Sequence, residues 1–360
     1  MPTRLFQIIS LMALACRLPF IAAVVLSYGS VHPCSAAPTS LGPTSPEEAE
    51  ILWRDGQRAS QESRHQDTIN QLGRYVDRYP GEPGFLEAHF ILGKAYFELK
   101  RTPEALKTFQ YYVHSKGMTP AAAEARVWMG RSYLLLGKNH EALQVSLELE
   151  QIQAQLPPEI TLWKLLIQAR AYVNMKNETS ARNAVEVAEH EISATTPPNL
   201  KGQIYALKLQ VKAMSCAHLQ SSVPLDETQA LSLMDRRGTC MLETLLIFNK
   251  ALKTENPPAV TEAAVHLNRA FEAYRIACHR APPPKPIADH KRTPEEFKSY
   301  RDELGDLLSK NYRGNSLQAL ELLNSWKPPA GSPVFDSYLL VSSYLKKTTS
   351  RNPQETLRTP

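Results

Sequence analysis

The run Glu87-Ala88-His89-Phe90-Ile91-Leu92-Gly93-Lys94-Ala95-Tyr96, followed by the break Lys100-Arg101-Thr102-Pro103 and then by Ala105, Leu106, Phe109, Tyr112 and Val113, decides how this chain folds. Apolar residues recur at three and four on both sides of the break, which is the period of a helix with one buried face. Thr102 is placed to cap the second helix, and Pro103 suits its first turn, where the missing N–H removes no hydrogen bond. The stretch reads as a helix-turn-helix hairpin.

Outward from it the hairpin repeats. Gly56, Gly93 and Gly130 stand at a fixed interval of 37 residues, each followed 12 residues later by Thr68, Ala105 or Ala142. Trp128, Met129, Gly130, Tyr133 and Leu136 rebuild the first helix, and a polar turn at Gly137-Lys138-Asn139-His140 leads into Ala142, Leu143 and Leu147. A weaker fourth unit keeps Tyr172 and Ala181 nine residues apart, as Tyr96 is from Ala105 and Tyr133 from Ala142, with Ala169 in the glycine place. Self-similarity at such a period marks a solenoid, in which each unit buries its apolar face against its neighbours. Small residues at the glycine place let the helices approach closely.

These marks resemble the tetratricopeptide repeat, whose pattern asks for Leu-Gly, an aromatic, a small Ala, a further aromatic or apolar residue and a closing Pro. Leu92, Gly93, Tyr96, Ala105 and Phe109 follow it. The first unit follows through Gly56, Leu72, Tyr75 and Pro80, with Thr68 in place of Ala and Ala59 in place of the aromatic. The resemblance covers residues 47–192 and implies an all-α, right-handed superhelical solenoid of hairpins. Together with the Tyr75-Val76-Asp77-Arg78-Tyr79-Pro80 ending, it is similar to bacterial envelope members of the superfamily, of the barrel-assembly lipoprotein or Tol-Pal coordinator type.

The N-terminus reads as an export signal. Arg4 and Arg17 are the only charges before Glu47, and Leu18 to Tyr28 is apolar but too short to span a bilayer comfortably. Cleavage is expected after Ala36, giving a signal over 1–36 and a linker over 37–46. Arg17 would form an ordinary basic n-region if translation began at Met12. Lipidation at Cys16 or a retained anchor are the alternatives, and all place the repeats in the periplasm or peripherally on the outer membrane. Removing both arginines takes the formal charge from +5 to +3. That is too little for a nucleic-acid footprint, so nucleic acid is not an expected partner.

Beyond the repeats, irregular hairpins are expected over 199–280, with helical runs at Leu200 to Leu219, Glu227 to Leu252 and Pro258 to His279. A Pro-rich break over 281–293 follows, then two C-terminal helices within 294–326, a last one at Val334 to Lys346, and a polar, disordered tail over 347–360. Cys216, Cys240 and Cys278 remain after signal removal. They are read first as buried thiols acting as small hydrophobes, and where a bridge forms, Cys240 with Cys278 is the expected pair.

No catalytic or metal constellation emerges. His140-Glu141 and His190-Glu191 open a zinc-protease pattern that Gln144 and Ala194 fail to complete. Cys278-His279 with His266 lacks a fourth donor in suitable spacing. No cofactor is implied. A cell-wall enzyme on a helical superhelix, or its accessory, is the alternative function.

A partner surface can be placed by register. Three residues before the glycine place stand Trp53, Phe90, Val127 and Leu166, and one residue after it stand Gln57, Lys94, Arg131 and Arg170. By resemblance to the family both rows face the concave groove, where an apolar strip beside a basic row would hold an acidic extended peptide or amphipathic helix. The competing reading is that the aromatics pack between repeats while Lys94 and Arg131 pair with Glu87, Glu124 or acids of adjacent helices.

Overall fold

A computed structural model describes residues 45–219, 227–279 and 294–350, all within the compact unit Thr44–Pro360. The signal, its cleavage point and the Pro-rich break fall outside these residues. Among the described residues the secondary structure is helical throughout: α1 Pro46–Gln61, α2 His65–Arg78, α3 Phe85–Glu98, α4 Thr102–Lys116, α5 Ala123–Leu135, α6 Asn139–Gln151, α7 Pro158–Asn174, α8 Glu178–His190, α9 Pro198–Ala217, α10 Glu227–Leu252, α11 Pro257–His279, α12 Pro294–Ser325 and α13 Phe335–Ser350.

The first eight helices pair as hairpins, α1 with α2 through α7 with α8, and the second helix of each pair packs on the first helix of the next. The odd-numbered helices also touch one another in succession from α1 to α11, which makes a continuous inner row. The architecture is an all-α helical repeat solenoid.

Each hairpin turn is built the same way. Ser63, Lys100, Gly137 and Lys176, seven residues after Gly56, Gly93, Gly130 and Ala169, all take positive φ, between 56° and 71°. The next N–H, on Arg64, Arg101, Lys138 or Asn177, returns to the carbonyl of Ala59, Tyr96, Tyr133 or Tyr172 at 2.8–2.9 Å. This is the Schellman closure, which satisfies carbonyls that the helix end would otherwise leave open. Three of the four turns achieve it without glycine, at a cost of about 1 kcal/mol each. Thr102, expected as a cap, is instead the first residue of α4, after Arg101.

The repeat marks occupy the core. Thr68, Ala105, Ala142, Ala169 and Ala181 are fully buried, and Tyr96, Tyr133 and Tyr172 are half-buried. A β-carbon on Gly56 would lie 2.3 Å from Leu72, and one on Gly93 would lie 2.5 Å from the Phe109 ring. In the third hairpin the small Ser146 stands where Leu72 and Phe109 stand in the first two. There Ile167 of α7 fills the space, 2.8 Å from a β-carbon on Gly130.

The C-terminal half departs from the sequence reading in three places. α12 is one helix of 32 residues rather than two. It runs through Gly314 because Tyr312, Ser316, Ala319 and Leu323 keep one buried face continuous while Gly314 faces solvent, where glycine costs only about 1 kcal/mol. α13 extends to Ser350, past the expected end at Lys346. Cys240 is bridged to Cys216 and not to Cys278, since α9 packs on α10 and brings the two Cα atoms to 5.8 Å. The side chain of Cys278 lies outside those described.

Candidate functional site

Along the inner row, α3, α5, α7 and α9 enclose an open cleft of about 430 Å³. Its apolar wall is Phe97, Leu134, Leu135, Trp163, Leu166 and Ile167, and its polar groups are Lys100, Arg131, Arg170, Asn174 and Gln203. The lining carries three cations and no carboxylate.

Arg131 sits at the centre, half-buried, with its guanidinium carbon 4.1 Å from the Trp128 ring centroid, 4.5 Å from Trp163 and 4.9 Å from Phe97. The three rings come from α5, α7 and α3, so one arginine ties together three consecutive hairpins. Burial pushes its pKa below the ordinary arginine range, against the weaker opposing charge of Glu98. Among the described residues no carboxylate comes within ion-pairing distance of it.

Its two register mates are differently placed. Lys94 lies over Phe90 and Trp128, 5.4 and 5.6 Å from the ring centroids, and pairs at 3.5 Å with Glu124 of the next hairpin. Arg170 donates to Glu262 on α11 at 2.5 Å and to Gln210 on α9 at 3.4 Å. Glu262 also lies 3.9 Å from His266 on its own helix face. Burial alone would raise the Glu262 pKa, but the nearby His266 and the hydrogen bond from Arg170 outweigh it and hold the carboxyl at about 2.

A depressed carboxylate stabilises the fold above its unfolded value and loses that contribution as pH falls through the folded one. The contact between the repeats and α11 is therefore expected to weaken between pH 4.5 and about 2. Glu262→Gln should flatten that part of the acid-unfolding curve relative to wild type. Identical curves would show that the pair contributes nothing.

The row three residues before the glycine place behaves otherwise. Val127 is buried against Ala142, Leu149 and Ile167, covered by α7, and offers no surface. Phe90 packs on Phe109 and Tyr112 at centroid distances of 6.0 and 5.3 Å, and Trp53 packs on Tyr75 at 5.5 Å. Leu166 reaches the cleft wall although nearly buried, and Gln57 lies half-buried on α1. The groove face is therefore carried by the row that follows the glycine place and by positions one turn further on. The aromatics do pack between helices, and Lys94 does pair with an adjacent acid. Arg131, set against Glu124 in the competing reading, has no such partner.

Sequence reasoning missed Phe97, Trp128 and Trp163 as site residues. Trp128 lies three residues before Arg131 and Trp163 seven before Arg170, spacings that place each pair on one helix face. That signal was hidden because bulky residues near the glycine were read as core marks.

Within this geometry, residues 87–115 match the family described as "TPR_6: Tetratricopeptide repeat". That repeat contributes Phe90, Lys94, Phe97 and Lys100 to the inner row and cleft. The match supports placing the repeats in the tetratricopeptide superfamily, whose repeats generally mediate protein–protein interactions. In sequence comparison with curated proteins no relative is matched. Among solved structures the chain is similar to a tetratricopeptide repeat protein from Parabacteroides merdae ATCC 43184, at 12% identity and a TM-score of 0.38, covering 84% of this chain and 100% of that one. A second similar structure, described as "Computational Design of Self-Assembling Cyclic Protein Homooligomers", has 8% identity and a TM-score of 0.19, covering 87% of this chain and 94% of that one.

Proposed function

We propose that the chain is an exported, non-catalytic scaffold of the bacterial cell envelope that holds a protein partner in the groove along its inner row. The observation that carries this reading is the cleft of about 430 Å³ running from α3 to α9, walled by apolar side chains and lined by cations without a carboxylate. A surface of this kind buries apolar area for affinity and uses its charge for orientation and choice of partner. The Cys216–Cys240 bridge supports the exported compartment, because disulfides persist in oxidising surroundings. The N-terminal pattern of Arg4, Arg17 and the apolar run points the same way. A role in outer-membrane or cell-wall assembly, with peripheral membrane association through the partner, follows from the envelope resemblance.

Partner recovery by the mature protein tests this. Lys94→Glu with Arg131→Glu reverses two charges of the inner row and, in a variant whose fold is verified by circular dichroism, is expected to reduce recovery of the wild-type partner at least tenfold. Undiminished recovery by a folded double variant would overturn the groove as the recruitment surface.

A further inference from the structure

Several cations of the described residues that lie away from solvent have acids of their own. Arg126 pairs with Glu148 at 3.2 Å, Lys164 with Glu150, and Arg170 with Glu262. In a second cleft, of about 610 Å³ between α8, α9 and α10, the basic rim is likewise neutralised: Lys208 and Lys250 share Glu189, Lys212 meets Glu243, and Arg182 meets Glu178. Arg131 differs. It is half-buried in the middle of the groove with no described carboxylate in reach.

The way it is held leaves its donors available. Trp128, Trp163 and Phe97 surround the guanidinium at cation–π distances, and among the described residues none of its five N–H donors meets a hydrogen-bond acceptor. A guanidinium held by ring contacts keeps its N–H groups for an incoming acceptor, and a carboxylate can take two parallel hydrogen bonds from that fork. Withdrawing a cation from water without an acid is costly, so the site is poised to gain from an incoming anion.

We infer that Arg131 is the receptor for a side-chain carboxylate, an Asp or Glu within an extended partner segment whose apolar neighbours lie against Trp163, Leu134 and Leu135. This deepens the groove reading above and rests on it. Lys100 and Arg170 add positive field to the same cleft, and its lining has no acid to repel the ligand. Four helices of the inner row, at roughly 8–10 Å between axes, span about 25–30 Å. That is the length of an extended segment of about eight residues. Asn174 and Gln203, also in the lining, supply amides able to bond a peptide main chain.

The test uses the full mature chain, immobilised, and pools of acetylated, amidated nonapeptides with random Ala, Leu, Ser and Tyr flanks and a central Glu, Gln, Lys or Leu. A further Gln-centred pool carries a free C-terminus, and retained peptides are counted by mass spectrometry. Glu-centred peptides are expected to be enriched about tenfold over Gln-centred ones. The ratio should fall to about one with Arg131→Gln and to an intermediate value with Arg131→Lys, each measured on protein shown to be folded by circular dichroism at the assay temperature. Equal retention of the Glu and Gln pools overturns the carboxylate receptor while leaving the groove reading in place. Retention of the free C-terminal pool equal to that of the Glu pool overturns the in-chain assignment in favour of a terminal carboxylate. Failure to retain any pool also overturns the assignment, and the groove reading is then decided by crosslinking from Leu135, which needs no acidic probe.

Discussion

Gly93→Leu is expected to cost at least about 3 kcal/mol of stability, and Gly93→Ala about 1–2 kcal/mol. A β-carbon at Gly93 would sit 2.5, 2.7 and 2.8 Å from three atoms of the Phe109 ring. The ring cannot swing aside, because it is fully buried and packed against Phe90 at 6.0 Å and Trp128 at 6.2 Å between centroids. Trp128 in turn holds Arg131 and Lys94, so the same substitution should disturb the cleft. Gly73 gives the control. It lies inside α2 with nothing within 4 Å of a β-carbon, so Gly73→Ala is expected to stabilise by up to about 1 kcal/mol. Urea unfolding of the three variants checks the pattern, and a Gly93→Ala variant as stable as wild type would contradict the close approach of α3 and α4.

Removing the bridge between Cys216 and Cys240 is the second large effect. The two residues are 24 apart in sequence, and closing a loop of that length restricts the unfolded chain by about 3 kcal/mol. The bridge ties the end of α9 to α10, and α10 also packs on α11 and α12, so the loss should fall on the C-terminal half. Cys216→Ala with Cys240→Ala, or reductant added to wild type, is expected to lower the melting temperature by several degrees. The variant should then be insensitive to reductant. A wild-type melt unmoved by reductant would show that the bridge does not form.

How far the sequence alone reached can be traced to particular residues. The hairpins at Gly56, Gly93 and Gly130 were legible because a local period fixes both helix face and turn position, and the same logic found Arg131 and Arg170 in the cleft. Val127 misled because register gives the face of a helix but not what the next helix covers. That depends on the approach of α7, through Ile167 and Ala171, which no local pattern encodes. The expectation of two helices within 294–326 failed for a related reason, since the buried face from Tyr312 to Leu323 outweighs one exposed glycine, Gly314. The Cys216–Cys240 pairing depends on how α10 returns onto α9, a long-range matter that cysteine counting leaves open. The ring set around Arg131 draws on three hairpins and exists only once they are stacked.

The measurement that tests the central claim most directly is photo-crosslinking in the native cells from a reactive residue at Leu135, the exposed lip of the cleft, with Leu147 on α6 as the control position. One dominant protein adduct from Leu135, absent from Leu147 and lost on Arg131→Glu, is the predicted result. No adduct from Leu135 in a folded, exported protein, or the same adduct from Leu147, would contradict a partner held in the groove.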